Sequence, residues 1–438
     1  MPDLADQPLP TLPTLLATPA YQAFCRVELA QPYELLDELR SIAPVHWSPI
    51  LQAWVVTSYA DVVAALRHPQ LGSDRSEINA RGIPADLHPG DESLIAHICN
   101  WLGFTEPPKH SRLRKLARTM LNPALAATFK PWITDYVRDT IAEIRREEHV
   151  DLLERFALRL PLDLICAALG VPGPQAQQFN RWTGDVGPFA GRVDPSWNAD
   201  TQQLVDRANE SWLALEDMFR ALIREKQRRP ADDLLTRLVD SASEGTISDQ
   251  ELIGLAVFFL AAGHGTARNM LANGLYLLLT HPTEAQKLVE AQKLVEAQRL
   301  SEAPELIEAA VEEVLRYESP IPMASRLAQA DLTLSGAAVR AGDSVILHLA
   351  AANRDPAMFE QAATFDITRP NNRHLAFGRG PHFCLGAPLA RVEAAVVFQE
   401  LGPLLPELVL DRPDVTWRTG DMTDRCVTEL KASWRDPA

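Results

Sequence analysis

The sequence predicts a mainly α chain with a small β region, and three observations carry that prediction. Apolar residues recur at three- and four-residue intervals through Tyr59 to Arg67, Pro131 to Glu147, Gln202 to Arg228 and Ile307 to Tyr317, the spacing of one buried helix face. Strand-like runs are few and short: Ala53 to Thr57, Leu332 to Leu334 and Ser344 to Leu347 are rich in Val, Thr, Leu or Trp. Prolines and glycines are spread among loops with no linker-like cluster. Residues 1–438 therefore read as a single domain, with the Pro-rich 1–20 expected to be extended or poorly ordered.

Composition narrows the class. Hydrophobic residues make up 46% and charged residues 23%, the balance of a globular protein able to bury a sizeable core. The opening MPDLADQPLPTLPTLL lacks a basic segment followed by an apolar one, so neither a secretory signal nor a membrane anchor is expected. The longest apolar run, Leu252 to Gly263, falls well short of the roughly 20 residues of a spanning helix. Five cysteines, Cys25, Cys99, Cys166, Cys384 and Cys426, are odd in number and scattered, which fits a reducing compartment and no disulfide framework. A cytoplasmic location follows. The net charge of −16 argues against nucleic acid as a partner, since phosphate binding relies on a basic face.

Along the chain, Glu106-Pro107-Pro108 is a helix-start signal, after which His110 and Arg114 share one helical face at four-residue spacing. Two carboxylates would suit them. Ser248-Asp249-Gln250-Glu251 reads as a capping box opening a long apolar helix through Thr280. Inside it, Ala262-Gly263-His264-Gly265-Thr266 contains two glycines, each costing about 1 kcal/mol relative to alanine, so packing or a flat ligand must account for them. Phe258, Ala262 and Thr266 share a face, and His264 is expected to pack outward. Glu284 to Val289 is repeated as Glu290 to Val295 and begins again at Glu296. A six-residue period turns each copy by about 120°, so the copies cannot line one face and a solvated helical extension is expected. Glu313 and Arg316 lie three apart on one helix face and can pair.

The richest segment is Phe377-Gly378-Arg379-Gly380-Pro381-His382-Phe383-Cys384-Leu385-Gly386. Gly378 and Gly380 allow a tight turn and close approach of backbone to a flat ligand. Cys384 opens a helix-forming stretch, Ala387 to Ala394, whose N-terminal field and amide donors are expected to lower the thiol pKa. One thiolate without a second cysteine or metal-spaced histidine makes a poor zinc site and cannot hold an iron–sulfur cluster, both of which want about four protein ligands. Haem iron needs only one.

With the Leu389-Ala390-Arg391 that follows, this pattern resembles the haem-binding segment of the cytochrome P450 superfamily, the haem-thiolate monooxygenases, in their bacterial soluble form. The resemblance runs from about His110 to the C-terminus with the motifs in the family's order. It implies the cytochrome P450 fold, with haem between a long distal helix and a proximal cysteine-loop helix. The implied cofactor is haem b (iron protoporphyrin IX), with the Cys384 thiolate as axial ligand, Phe377, Gly378 and Gly386 in the cofactor loop, and His110, Arg114, Arg326 and His382 on the propionates. Glu313, Arg316 and Arg369 are implied to form a buried network under that loop. Thr266 takes the oxygen-activating alcohol position, with Gly263 and Gly265 beside it. The family's usual Asp or Glu before this threonine is absent. Water beside Gly265, or His264, would have to carry the protons instead.

Phe258, Ala262, Ile321 and Met323, with the loop between Leu87 and Phe104, match segments that touch substrate in the family, and their apolar character implies a hydrophobic small molecule. The implied reaction inserts one oxygen atom from O2, as hydroxylation or epoxidation. Electrons would come from NAD(P)H through a separate reductase and a ferredoxin or flavodoxin-type donor. Lys109, Arg112, Lys115 and Arg118, with Arg379 and Arg391, would give this acidic chain a local basic face to steer such a donor. A monomer is expected. Gly265 leaves a peroxide-driven or otherwise atypical oxidase open, and a non-catalytic haem-binding sensor would need Cys384 without Thr266.

Overall fold

Ser248 begins the longest helix because its Oγ accepts the Glu251 N–H at 3.2 Å while the Glu251 carboxylate accepts the Ser248 N–H at 2.9 Å, satisfying two end donors reciprocally. This computed structural model describes residues 11–74, 98, 100–191, 199–296, 303–412, 414–420 and 422–435. Among them the helices are α1 (Leu12–Leu16), α2 (Pro19–Cys25), α3 (Tyr33–Ile42), α4 (Tyr59–Leu66), α5 (Lys109–Met120), α6 (Pro123–Ile144), α7 (Arg159–Leu169), α8 (Ala176–Gly191), α9 (Ala199–Arg228), α10 (Leu234–Ser243), α11 (Asp249–Thr280), α12 (Pro282–Glu296), α13 (Ala303–Tyr317), α14 (Leu349–Ala352) and α15 (Ala387–Leu401).

Among the described residues, ten short strands form three sheets. The largest orders β1 (Val45–Ser48), β2 (Ala53–Val56), β8 (Ser344–Leu347), β5 (Ala324–Ala328) and β3 (Leu71–Gly72). Its β2–β8 pair is parallel, with Ala53 opposite Ser344, and β5 runs antiparallel to β8 with Arg326 opposite Val345. β4 (His149–Asp151), β10 (Lys431–Trp434) and β9 (Leu408–Leu410) make a second sheet, and β6 (Leu332–Leu334) pairs with β7 (Ala337–Val339).

Helix α11 runs through the molecule and divides its packing. Leu252 to Leu260 join a core with α7, α8, α9 and α10, while Met270 to Leu278 join another with α6, α13 and α15. The intervening residues 261–269 contribute to the cores only at their edge. At Gly274 an added Cβ would collide with the Phe398 ring of α15, so glycine there sets how closely the two helices cross.

Two expectations are corrected. Within 1–20, the described residues form α1 and the start of α2 instead of extended chain: Thr18 Oγ1 caps α2 by accepting the Tyr21 N–H at 3.2 Å, and Tyr21 and Phe24 are buried. The first copy of the repeat is not solvated either. Ala285 and Leu288 enter the core, and Glu284 accepts the Ile367 N–H at 3.0 Å. In the second copy Lys293 is exposed, and Glu296 onward passes out of the described residues at 297. Helix α6 also begins earlier than expected, at Pro123, where Asn122 Oδ1 accepts the Leu125 N–H at 3.0 Å.

Candidate active site

The cysteine loop turns where glycine permits: Gly378 has φ 69° and Gly380 φ 78°, backbone that other residues rarely adopt. A Cβ on Gly380 would lie 3.0 Å from the Leu66 carbonyl, so the loop also presses against the end of α4. The Cys384 N–H donates to the Phe377 carbonyl at 2.9 Å, closing the loop, and α15 starts at Ala387 with Gly386 at its cap. The Gly386 and Ala387 amides donate to the sulfur, yet the pKa of Cys384 is raised. Desolvation is the largest cause, outweighing those donors and the charges of Arg114 and Arg391, although the side chain keeps solvent-accessible area. The expected lowering by the helix terminus is thus present but overcome. Cys25, Cys166 and Cys426 are buried free thiols, and Cys99 lies outside the described residues.

Four cation-forming groups meet beside the loop. The rings of His110 (α5) and His382 stack at 4.1 Å between centroids, Arg114 donates to the Phe383 carbonyl, and Arg326 projects from β5. Buried Arg326 donates to the adjacent Ser325 carbonyl at 2.8 Å and makes no ion pair among the described residues. Burial is the largest cause pushing each of them towards neutrality: it lowers His110, helped by Arg114, and Arg114, helped by Arg118, takes His382 to about 3 with help from His110, Arg326 and Arg114, and takes Arg326 to about 10 against the pull of Glu106. His110 Nε2 is buried without a hydrogen-bond partner among the described residues. Such a set is short of an anion, and a group bearing two carboxylates, as haem does, fits it. Sequence reading missed Glu106, whose carboxylate accepts the Ser73 and Asp74 N–H groups and feels both His110 and Arg326.

Under the loop, Glu313 and Arg316 are fully buried and paired through two hydrogen bonds, Nε to Oε2 at 2.7 Å and NH2 to Oε1 at 2.8 Å. Arg369 reaches the same carboxylate at 3.1 Å, and Asn372 and the Asp366 N–H complete its shell. Arg316 spends its remaining donors on the Asn353, Ala362 and Thr364 carbonyls. The three residues expected to form one network do so. A second cluster went unpredicted: Glu312 takes Arg391 and His374, and although burial pushes its carboxyl up, their hydrogen bonds and the Arg391 charge hold it at about 2.

On α11, Ala262 is exposed where the other residues from Glu251 to Thr280 are buried or half-buried, and a Cβ on Gly265 would meet nothing within 4 Å. Phe258, Ala262, Gly265 and Thr266 thus mark one open face, where Thr266 Oγ1 donates to the Ala262 carbonyl at 3.0 Å. His264 turns away, buried with Nδ1 2.9 Å from the Leu260 carbonyl and Nε2 3.2 Å from Thr183 Oγ1 of α8. Gly263 must be reassigned. Its Cβ position lies 2.9 Å from Ile165 Cγ1, so close packing on α7 requires glycine there, off the open face. Met323 is likewise corrected, being 4% exposed in a core with Leu35, Val55 and Ile346, whereas Ile321 is half-buried. Trp101, its ring tilted 56° to that of Phe258 with centroids 5.9 Å apart, borders the same face, while the part of the Leu87–Phe104 loop before Ile98 lies outside the described residues.

Carboxylates offset two charges of the basic face, Arg112 and Arg391. Lys109 binds Asn100 at 2.7 Å, Arg112 binds Glu251 and the Thr246 carbonyl, Arg391 binds Glu312, and Arg379 reaches the Tyr59 hydroxyl at 3.3 Å. Lys115 and Arg118 are exposed. No helix among the described residues is long and apolar enough to cross a membrane.

Comparison with known proteins agrees with this geometry. Residues 97–401 match the family model described as Cytochrome P450. The chain is 30% identical to the biotin biosynthesis cytochrome P450 of Bacillus subtilis, over 89% of this chain and 92% of that one. It is 31% identical to 6-deoxyerythronolide B hydroxylase of Saccharopolyspora erythraea, over 88% and 92%. The crystal structure of CYP109E1 from Bacillus megaterium in complex with testosterone superposes with a TM-score of 0.81 at 28% identity, covering 96% of this chain and 100% of that one. An extended match of this kind, over the segments that build the cysteine loop, the buried ion pairs and the long central helix, makes the chain a member of the cytochrome P450 monooxygenase family, oxidoreductases whose cofactor is a haem-thiolate.

Proposed function

We propose that this protein is a haem b-dependent monooxygenase that inserts one oxygen atom from O2 into a hydrophobic small molecule. The carrying observation is the anion-deficient cluster of buried His110 and Arg326 with half-buried Arg114 and His382 beside the Cys384 loop. Cys384 would supply the axial thiolate, and those four side chains would hold the propionates. Bound there, the haem supplies the oxygen and electron-transfer chemistry, and a coordinating thiol is deprotonated by its metal despite the desolvation that raises its pKa. Glu313, Arg316 and Arg369 keep the loop in shape, and Phe377, Gly378 and Gly386 form its wall.

On the distal side, Thr266 holds a proton on Oγ1 within the open face, and Gly265 leaves room for water to reach it. Phe258, Ala262 and Ile321 exclude water from the apolar part and orient the substrate. His264 is committed to Leu260 and Thr183 and takes no part. Electrons would arrive from NAD(P)H through a separate reductase and a ferredoxin or flavodoxin-type donor, in the cytoplasm. The names of the relatives, a hydroxylase and a biosynthetic enzyme among them, favour this over a peroxide-driven oxidase or a haem sensor.

The test has two stages. The reduced carbon monoxide spectrum should carry the thiolate red shift, and its absence would overturn the assignment. A substrate-binding screen with mass spectrometry should then find a product gaining one oxygen with the reductase system and little with peroxide alone.

A further inference from the structure

Helix α13 carries two adjacent carboxylates about 100° apart on its surface. Glu313 serves Arg316 and Arg369, but Glu312 serves the cysteine loop itself. Arg391 donates from Nε to Glu312 Oε1 at 2.7 Å and from NH2 to Oε2 at 2.9 Å. His374 Nε2 lies 3.0 Å from the same Oε2. Because His374 Nδ1 accepts the Ala376 N–H at 3.1 Å, the neutral ring must carry its proton on Nε2, which makes it the donor to Glu312. The Arg391 guanidinium lies 4.6 Å over the Phe377 ring, and the Phe377 carbonyl receives the Cys384 N–H at 2.9 Å. One carboxylate therefore ties both sides of the loop, the entering residues 374–377 and the first turns of α15.

We propose that Glu312 is a positioning residue for the cysteine ligand: through Arg391 and His374 it fixes the loop and cancels positive charge that Arg391 would otherwise direct at the sulfur. The proposal rests on the haem-thiolate reading of the site. Arg391 and Cys384 interact electrostatically, so an uncancelled guanidinium would draw electron density from the thiolate and favour the reduced iron. Glu308, one turn before Glu312, adds a weaker negative charge towards Arg391.

The experiment is a spectroelectrochemical titration of the haem-loaded protein. Glu312→Gln should raise the reduction potential, Arg391→Gln should lower it, and the double variant should return towards the parent value. A merely structural role predicts losses that add, with no return. An unchanged potential in Glu312→Gln, or a double variant no nearer the parent than that single variant, would sink the proposal. Should Glu312→Gln fail to retain haem, Arg391→Gln decides alone: a downward shift supports the proposal and any other result overturns it. A parent protein without the thiolate band would instead refute the underlying reading.

Discussion

Gly263 and Gly265 sit two residues apart and answer opposite demands. Gly263 faces Ile165 with no room for a methyl group, whereas Gly265 faces open space. Gly263→Ala should therefore destabilise by about 1–3 kcal/mol through overpacking, while Gly265→Ala should stabilise α11 by up to about 1 kcal/mol through helix propensity; thermal unfolding of the two variants checks the contrast. Thr266→Ala should leave substrate binding intact but cut product formation by about a hundredfold or more, the low end of losses for a displaced proton donor, while NAD(P)H is still consumed. Full coupling in that variant would remove Thr266 from proton delivery. The Cys384 motif was legible because ten consecutive residues carry it. Glu312 was not, since His374 and Arg391 lie 62 and 79 residues away and nothing local announces the pairing. The thiol's acidity was misjudged for a related reason: a helix terminus can be read from sequence, but desolvation depends on what distant segments pack around it.

At the level of elements, α13 is the member that ties the proximal side together. Removing one partner from a buried ion pair leaves an uncompensated charge, so Glu313→Gln should cost about 3–5 kcal/mol. Loss of Soret absorbance in parallel with a lower unfolding temperature would show that the network retains the cofactor; a stable, haem-replete variant would disprove it. Helices were legible from apolar spacing, as with α4, α9 and α13, because their pattern is local. Strands were less so. β5 depends on partners in β8 and β3, and a short run such as Ala324 to Ala328 has no alternation strong enough to declare itself. The repeat in α12 misled because periodicity alone says nothing of Gly402 and Ile367, which the first copy packs against.

Across the whole molecule, buried ionisable groups set two opposing pH slopes. Burial holds His348 at about 3, below its ordinary 6.5, so between those values the unfolded chain binds a proton that the folded one refuses. Stability from this group is complete above pH 6.5 and falls as pH drops. His348→Asn keeps an acceptor for the Ala351 N–H, now met at 3.1 Å, and should flatten the decline in unfolding temperature between pH 6.5 and 5. Burial raises Glu393 to about 8, so the unfolded chain releases a proton that the folded one keeps, and stability falls as pH rises from 4.5 to 8. The advantage of Glu393→Gln in unfolding temperature should accordingly grow from pH 5 to pH 8; a constant advantage would contradict the assignment.

Helix α11 is anchored at both ends by separate cores, while its middle stretch packs on one side, through Gly263 and His264, and is open on the other. It resembles a beam clamped at its supports with one bare side at mid-span. Positions 262, 265 and 266 can then change without loosening the fold, which uncouples evolvability from robustness at the place where chemistry is chosen. A library confined to codons 262 and 265, with Thr266 kept for proton delivery, should return mostly folded proteins with altered selectivity, giving natural drift or a laboratory a low-risk route to new products.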